Sequence, residues 1–244
     1  MKNIKLVFEY DGSNYYGYQR QLKERTVQGD LEKCLNKILN EKINLVSAGR
    51  TDRGVHAFEQ VANFKIDTKI PLDKLKIIVN RAIPKTIKIK ECVEENEEFH
   101  SRFSAKGRGY IYIMKKESEC TVFDSNYVTP IKENIEVQKF LEILKPLEGK
   151  HNFESFRKTD DKYKNPERTI KKIDFYKKGE NYYAYIEADS FLKTMVRIIM
   201  GTALAVYFGE EKEDYLLDKL KNPNIKEKKI VALPNGLYLS KVLY

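Results

Sequence analysis

The sequence predicts an α+β protein of two halves, each built on a mostly antiparallel sheet. Three observations predict it: strand-like alternation recurs on both sides of residues 100–108, helical apolar spacing separates the strands, and several strand pairs are close enough in sequence to form hairpins. The halves are expected at 1–105 and 106–244.

Ile4, Leu6, Phe8 and Tyr10 alternate with Lys5, Val7 and Glu9, so the chain opens on a strand with one buried face, ended by a turn at Asp11-Gly12-Ser13. Thr26 caps a helix whose Val27, Leu31, Leu35, Ile38 and Leu39 recur at helical spacing. Residues 45–49 read as a second strand entering a sharp loop at Gly49–Gly54. Val61, Asn63 and Lys65 oppose Ala62, Phe64 and Ile66 in a third strand. Asp73, Leu75, Ile78 and Val79 predict a helix that stops before Pro84, and Ile87, Ile89 and Val93 return to strand.

A second series resembles the first. Tyr110, Tyr112 and Met114 share one strand parity, with Ile111 and Ile113 on the other. Glu136–Leu144 is a helix, followed by a basic loop from Phe156 to Arg168. Ile170–Phe175 and Tyr182–Ala188 form a hairpin across Lys178-Gly179-Glu180-Asn181. Met195–Tyr207 is a strongly apolar helix, and a short strand near Leu237–Leu243 ends the series. No clean sequence repeat relates the two series.

With 244 residues, 41% of them apolar, the chain can bury a substantial core. No stretch approaches the roughly 18 uninterrupted apolar residues needed to cross a bilayer, and the start, Met1-Lys2-Asn3-Ile4-Lys5, leads into alternation instead of a secretory run. A cytoplasmic location is the expectation. Forty-five Lys and Arg against 36 Asp and Glu leave a formal charge of +9, which favours a polyanionic partner without identifying it. Cys34, Cys92 and Cys120, like His56, His100 and His151, are scattered, so the sequence has neither a disulfide framework nor a spaced metal site.

Gly49-Arg50-Thr51-Asp52-Arg53-Gly54-Val55-His56-Ala57 is the most informative segment. Two glycines flank a compact polar cluster and let the backbone turn tightly or approach a ligand closely. A carboxylate held there can act as a nucleophile or base, kept ionised by Arg50, Arg53 or an arginine from another element. It can equally cap backbone N–H groups in an Asx-type turn. Residue type alone leaves both readings open.

The segment closely resembles a motif of the TruA family of transfer-RNA pseudouridine synthases, Gly-Arg-Thr-Asp-x-Gly-Val-His-Ala, whose aspartate is catalytic. The resemblance runs nearly from end to end. Tyr10-Asp11-Gly12-Ser13-Asn14-Tyr15-Tyr16-Gly17-Tyr18-Gln19 is similar to the family's opening strand and turn, and Thr26-Val27-Gln28 to the helix that follows. Arg108-Gly109-Tyr110-Ile111-Tyr112 resembles its tyrosine motif, and Phe191-Leu192-Lys193-Thr194-Met195-Val196-Arg197 its Phe-Leu-x-x-Met-Val-Arg motif. His151-Asn152-Phe153-Glu154-Ser155-Phe156-Arg157, Asn165-Pro166-Glu167-Arg168-Thr169-Ile170 and Ala232-Leu233-Pro234-Asn235-Gly236-Leu237-Tyr238-Leu239 resemble three further family segments. Arg53 stands where alanine is common, Tyr18 where tryptophan is, Leu233 where proline is, and Gly107 and Gly109 where bulkier residues are.

Carried over residue by residue, the resemblance implies the pseudouridine synthase fold, two ferredoxin-like-related halves joined around a central catalytic cleft. It implies Asp52 as catalytic nucleophile, Arg197 as the arginine that orients it, and Tyr110 as the aromatic against the target base. Arg50 and Arg53 are expected to hold the opened strand and Leu237 to help line the uracil pocket. Arg157, Lys158, Lys162, Lys164 and Arg168 are expected to bind RNA backbone, and His151 to be structural. The implied activity is that of a tRNA pseudouridine(38–40) synthase, acting on transfer RNA as a homodimer. Neither a metal nor a nucleotide cofactor is expected, since isomerisation involves no redox change or external group transfer.

Overall fold

The computed structural model describes residues 1–159 and 165–244; Lys162 and Lys164 of the expected basic loop lie outside the described residues. The chain forms two compact units, Met1–Lys106 with Tyr238–Tyr244, and Gly107–Leu237. The architecture is α+β with mostly antiparallel strand pairing, as the sequence predicts.

The first unit runs β1 (Lys2–Tyr10), α1 (Val27–Leu39), β2 (Val46–Ser47), β3 (His56–Ile66), α2 (Leu72–Ala82) and β4 (Ile87–Glu95). β1 pairs antiparallel with β3 and β4, and β2 pairs antiparallel with β3, giving the order β4–β1–β3–β2 of a split βαβ arrangement. Thr26 caps α1 as expected, its side chain accepting the Gly29 N–H. α1 buries Val27, Leu31 and Leu35. In α2 the buried stripe is Leu75 and Val79, whereas Ile78 faces solvent.

β4 carries a correction to the expected alternation. Val7 stands opposite Glu91 while Phe8 stands opposite Ile89, so Lys90 is an extra, bulged residue. Beyond a bulge the parity of the strand reverses. Ile87, Ile89 and then Cys92 are buried, and Val93 is exposed.

The second unit runs β5 (Gly107–Lys116), β6 (Thr129–Ile131), α3 (Val137–Leu144), β7 (Gly149–Asn152), β8 (Glu167–Lys178), β9 (Asn181–Ala188), α4 (Met195–Tyr207) and α5 (Tyr215–Lys221). Its antiparallel order is β5–β9–β8–β7, with β6 parallel to β5. The β8–β9 hairpin turns through Gly179 at φ +60°, a left-handed conformation that suits glycine. Phe140 of α3 ties the layers together, with its ring 4.6 Å from Phe175 of β8 and 5.6 Å from Tyr207 of α4. α4 is apolar nearly all round because ten of its 13 residues are buried, so it has little solvent face to make polar.

The last strand, β10 (Leu237–Leu243), belongs to the first unit from Tyr238 onward, with Tyr238 and Leu239 parallel to His56 and Ala57 of β3.

Candidate active site

The loop between β2 and β3 is held as a defined turn. The Val55 N–H donates to the Asp52 carbonyl at 3.2 Å, and Gly54 sits at φ +76° in the third position, where such a turn demands a left-handed residue. Gly49 is different: a Cβ there would meet nothing within 4 Å, so its bare main chain lies open. The loop is fastened from below as well. The Gln60 amide donates to the Gly49 carbonyl at 3.1 Å, and the Tyr10 hydroxyl bonds Thr51 Oγ1 at 2.9 Å. Burial pushes the Tyr10 phenol up to about 12, so this anchor stays neutral.

From the other side, the segment after β1 lies backbone to backbone against the Asp52 turn. The Tyr18 N–H donates to the Thr51 carbonyl at 3.1 Å, and the Gly54 N–H to the Tyr15 carbonyl at 3.3 Å. Two glycines permit the approach. A Cβ on Gly12 would lie 2.0 Å from the Val55 carbonyl oxygen. One on Gly17, itself at φ +95°, would lie 2.8 Å from that of Thr51. Side chains add two links: Arg50 Nη1 donates to Gln19 Oε1 at 2.8 Å, and the Arg53 guanidinium lies 4.1 Å from the Tyr16 ring centroid. Asp52 is half-buried between exposed Arg50 and exposed Arg53.

His56 is a pillar of this unit. Its Nδ1 lies 3.0 Å from the Gly12 N–H and 3.3 Å from Asp11 Oδ1, which ties the ring to the turn after β1. Its ring stacks 4.6 Å from Tyr238, which stacks 4.5 Å from Phe58.

In the second unit, Tyr110 is buried on β5 and meets Phe191 edge-on at 5.0 Å, so it packs against the start of the motif that ends in Arg197. Arg197 Nε donates to the Ala232 carbonyl at 2.9 Å, and the Ala232 N–H donates to the Arg197 carbonyl at 3.0 Å. Gly201, one turn further along α4, lets the same segment pass close by, since a Cβ there would lie 2.5 Å from the Ile230 carbonyl oxygen. The next residue is held too: the Tyr112 hydroxyl donates to the Leu233 carbonyl at 2.9 Å. Burial raises the Tyr112 phenol, with the Thr129 hydrogen bond and the Arg197 charge opposing it. Leu237 is buried behind Gly236, whose backbone carbonyl accepts the Ile113 N–H.

The expected RNA-backbone cations differ in setting. Lys158 is exposed, and its N–H donates to the Lys193 carbonyl just before α4. Arg157 forms a two-pronged pair with Glu154 at 2.9 Å, and Arg168 donates to the Asn165 carbonyl at 2.9 Å. His151 bonds the Glu148 carbonyl through Nε2, a local structural contact. Sequence reasoning did not single out the exposed run Gln19–Arg25, which the structure roots on the Asp52 turn; its arginines and lysine were the available signal.

Among the described residues no group of three or more His, Cys, Asp or Glu is placed to hold a metal ion, and no helix is long and apolar enough to cross a membrane.

A family model described as tRNA pseudouridine synthase matches residues 6–104 and 143–244. The tRNA pseudouridine synthase A 2 of Clostridium perfringens (strain 13 / Type A) is 37% identical over 244 residues, covering the whole of both chains. The tRNA pseudouridine synthase A of Thermoanaerobacter sp. (strain X514) is 38% identical with the same coverage, and that of Thermosipho melanesiensis 40% over 250 residues, again covering both in full. A solved H/ACA ribonucleoprotein bound to a substrate RNA containing 2′-deoxyuridine overlaps 83% of this chain and 43% of its own, at 11% identity and a TM-score of 0.40, too remote an overlap to weigh. On the family match across both units and the full-length identities, the chain belongs to the tRNA pseudouridine synthase family.

Proposed function

We propose that the protein isomerises uridine to pseudouridine in transfer RNA, at positions 38–40 of the anticodon stem-loop, with Asp52 as the nucleophile. The observation that carries this reading is the Asp52 turn itself, a nine-residue motif braced by two glycine-mediated backbone contacts. Such bracing is what a reacting carboxylate needs, because a small misplacement of the group costs much of its rate advantage.

The reaction cleaves the uridine N1–C1′ bond, turns the retained base and rejoins it through C5. The target nucleotide must leave its stack before a side chain can reach that linkage. Asp52 supplies the negative charge and the nucleophile or elimination base beside the sugar. Arg197, whose planar fork suits a carboxylate, orients it, and Tyr110 offers an aromatic face to uracil in a pocket that Leu237 helps line. Arg50 and Arg53 hold the opened strand. Of the basic segment, Lys158, Arg157 and Arg168 take the phosphate contacts, Arg157 beside Glu154 and Arg168 beside the Asn165 carbonyl. The reaction is redox-neutral and transfers nothing to an outside acceptor, so its stoichiometry calls for no nicotinamide or ATP. The reading includes a homodimer and a cytoplasmic setting, both supported by family likeness.

The test is site-resolved pseudouridine mapping of unmodified transfer RNA incubated with wild type or Asp52→Asn. Wild type should modify uridines at 38–40, and Asp52→Asn should be slower by about a thousandfold or more, the scale of loss when a nucleophile is removed. Equal activity in the two proteins would reject Asp52; modification elsewhere would reject the positions alone.

A further inference from the structure

The run Gln19–Arg25 is seven consecutive exposed residues, yet it is tied down at its roots. The Tyr16 N–H donates to the Arg25 carbonyl at 3.0 Å and closes the loop, and Gln21 Nε2 donates to the Tyr16 carbonyl at 3.0 Å. The Arg20 N–H donates to Gln28 Oε1 at 3.0 Å, and Arg20 and Arg25 pair with Glu32 and Asp30 of α1. The same loop is fixed to the Asp52 turn through Tyr18–Thr51, Gln19–Arg50 and Tyr16–Arg53. Its tip therefore keeps a defined place relative to the candidate nucleophile.

At that tip stands Leu22, 105% exposed, with none of its side chain covered by protein. A single exposed leucine on a surface is ordinary. This one differs in its surroundings. Arg20, Lys23 and Arg25, with Arg50 and Arg53 at the loop's foot, outnumber Glu24 and the two α1 partners Asp30 and Glu32, so the apolar tip is flanked by a positive excess that suits RNA backbone. Apolar side chains carried on cationic elements are used as wedges between stacked bases.

We propose that the Gln19–Arg25 loop is an RNA-binding element and that Leu22 is its wedge, entering the stack where the target uridine leaves. Leu22 is a positioning residue. It lowers the cost of everting the base, and its cationic neighbours hold the strand while it does so. The inference rests on the isomerase reading, and its test separates the two.

Single-turnover rates are compared for wild type, Leu22→Ser and Leu22→Met on two stem-loops. One has the target uridine paired within a stem, and the other has it opposite a mismatch that leaves it unpaired. Removing the wedge should slow the paired substrate by about tenfold or more and the mismatched one by less than about twofold, because an already unpaired base needs little help to leave. Leu22→Met should stay near wild type. The mismatched arm doubles as a check that Leu22→Ser is folded. Equal slowing on both substrates, or none on either, would overturn the proposal. In an Asp52→Asn background, 2-aminopurine beside the target reports eversion without chemistry. There the Leu22→Ser change should cut the fluorescence rise on the paired stem by about tenfold or more, and an unchanged rise would likewise overturn the wedge. Inactive wild type with an intact Leu22-dependent fluorescence rise would strike the isomerase reading alone.

Discussion

Gly17 shows how much of a site can rest on a residue with no side chain. Its φ of +95° is costly for any L-residue, and a Cβ would press to 2.8 Å of the Thr51 carbonyl oxygen and 3.3 Å of the Asp52 carbonyl carbon. Gly17→Ala is therefore expected to destabilise the protein by about 1–3 kcal/mol, the usual cost of a forced left-handed residue. Modification should fall further than folding stability accounts for, because relief of the clash moves the Asp52 turn. Urea midpoints read against single-turnover rates at a temperature where both proteins are folded check this. The sharp turn at Asp52 was legible in the sequence because Gly49 and Gly54 flank it. The need for Gly17 was not, because it depends on a φ angle and on a backbone oxygen far along the chain. The setting of Arg157 was hidden for a related reason: a charge count does not reveal that Glu154, three residues earlier, pairs with its guanidinium.

Among the elements, α4 gives a case where local propensity and packing oppose each other. Alanine is favoured over glycine inside a helix by about 1 kcal/mol. At Gly201, however, a Cβ would lie 2.5 Å from the Ile230 carbonyl oxygen and 2.8 Å from the Ala232 nitrogen, both main-chain atoms with little freedom to withdraw. Overpacking of this kind costs about 1–3 kcal/mol, so Gly201→Ala should lower stability despite the better helix former. It should also loosen the reciprocal hydrogen bonds between Arg197 and Ala232. Gly49→Ala is the natural comparison, since nothing crowds that position; a denaturant midpoint unchanged for Gly49→Ala and lowered for Gly201→Ala is the expected pair of results. The strongly apolar run of α4 was legible to the residue, and β10 was legible as a short strand. β6, β7 and α5 were not, being three, four and seven residues long, too short for a period to repeat convincingly. The bulge at Lys90 was invisible because one extra residue changes parity without changing composition.

For the whole molecule, the formal charge of +9 sets how binding should respond to ions. If roughly six phosphates are neutralised, transfer-RNA affinity should fall by about a thousandfold between ~50 and ~200 mM salt. A binding titration across that range measures it, and an affinity indifferent to salt would remove backbone contacts from the account. The unit boundaries also bear on how the chain matures. Residues 107–237 are continuous, so the ribosome delivers the second unit in one stretch. The first unit is delivered in two instalments, its opening 106 residues long before Tyr238–Tyr244. Until the second arrives, a nascent chain holds His56 and Phe58 without the aromatic slab that fills the space between them, and β3 without its parallel neighbour. Translation thus imposes an order in which β3 is made well before its parallel neighbour, and the unit that carries the Asp52 turn gains that strand only after the second unit has been delivered.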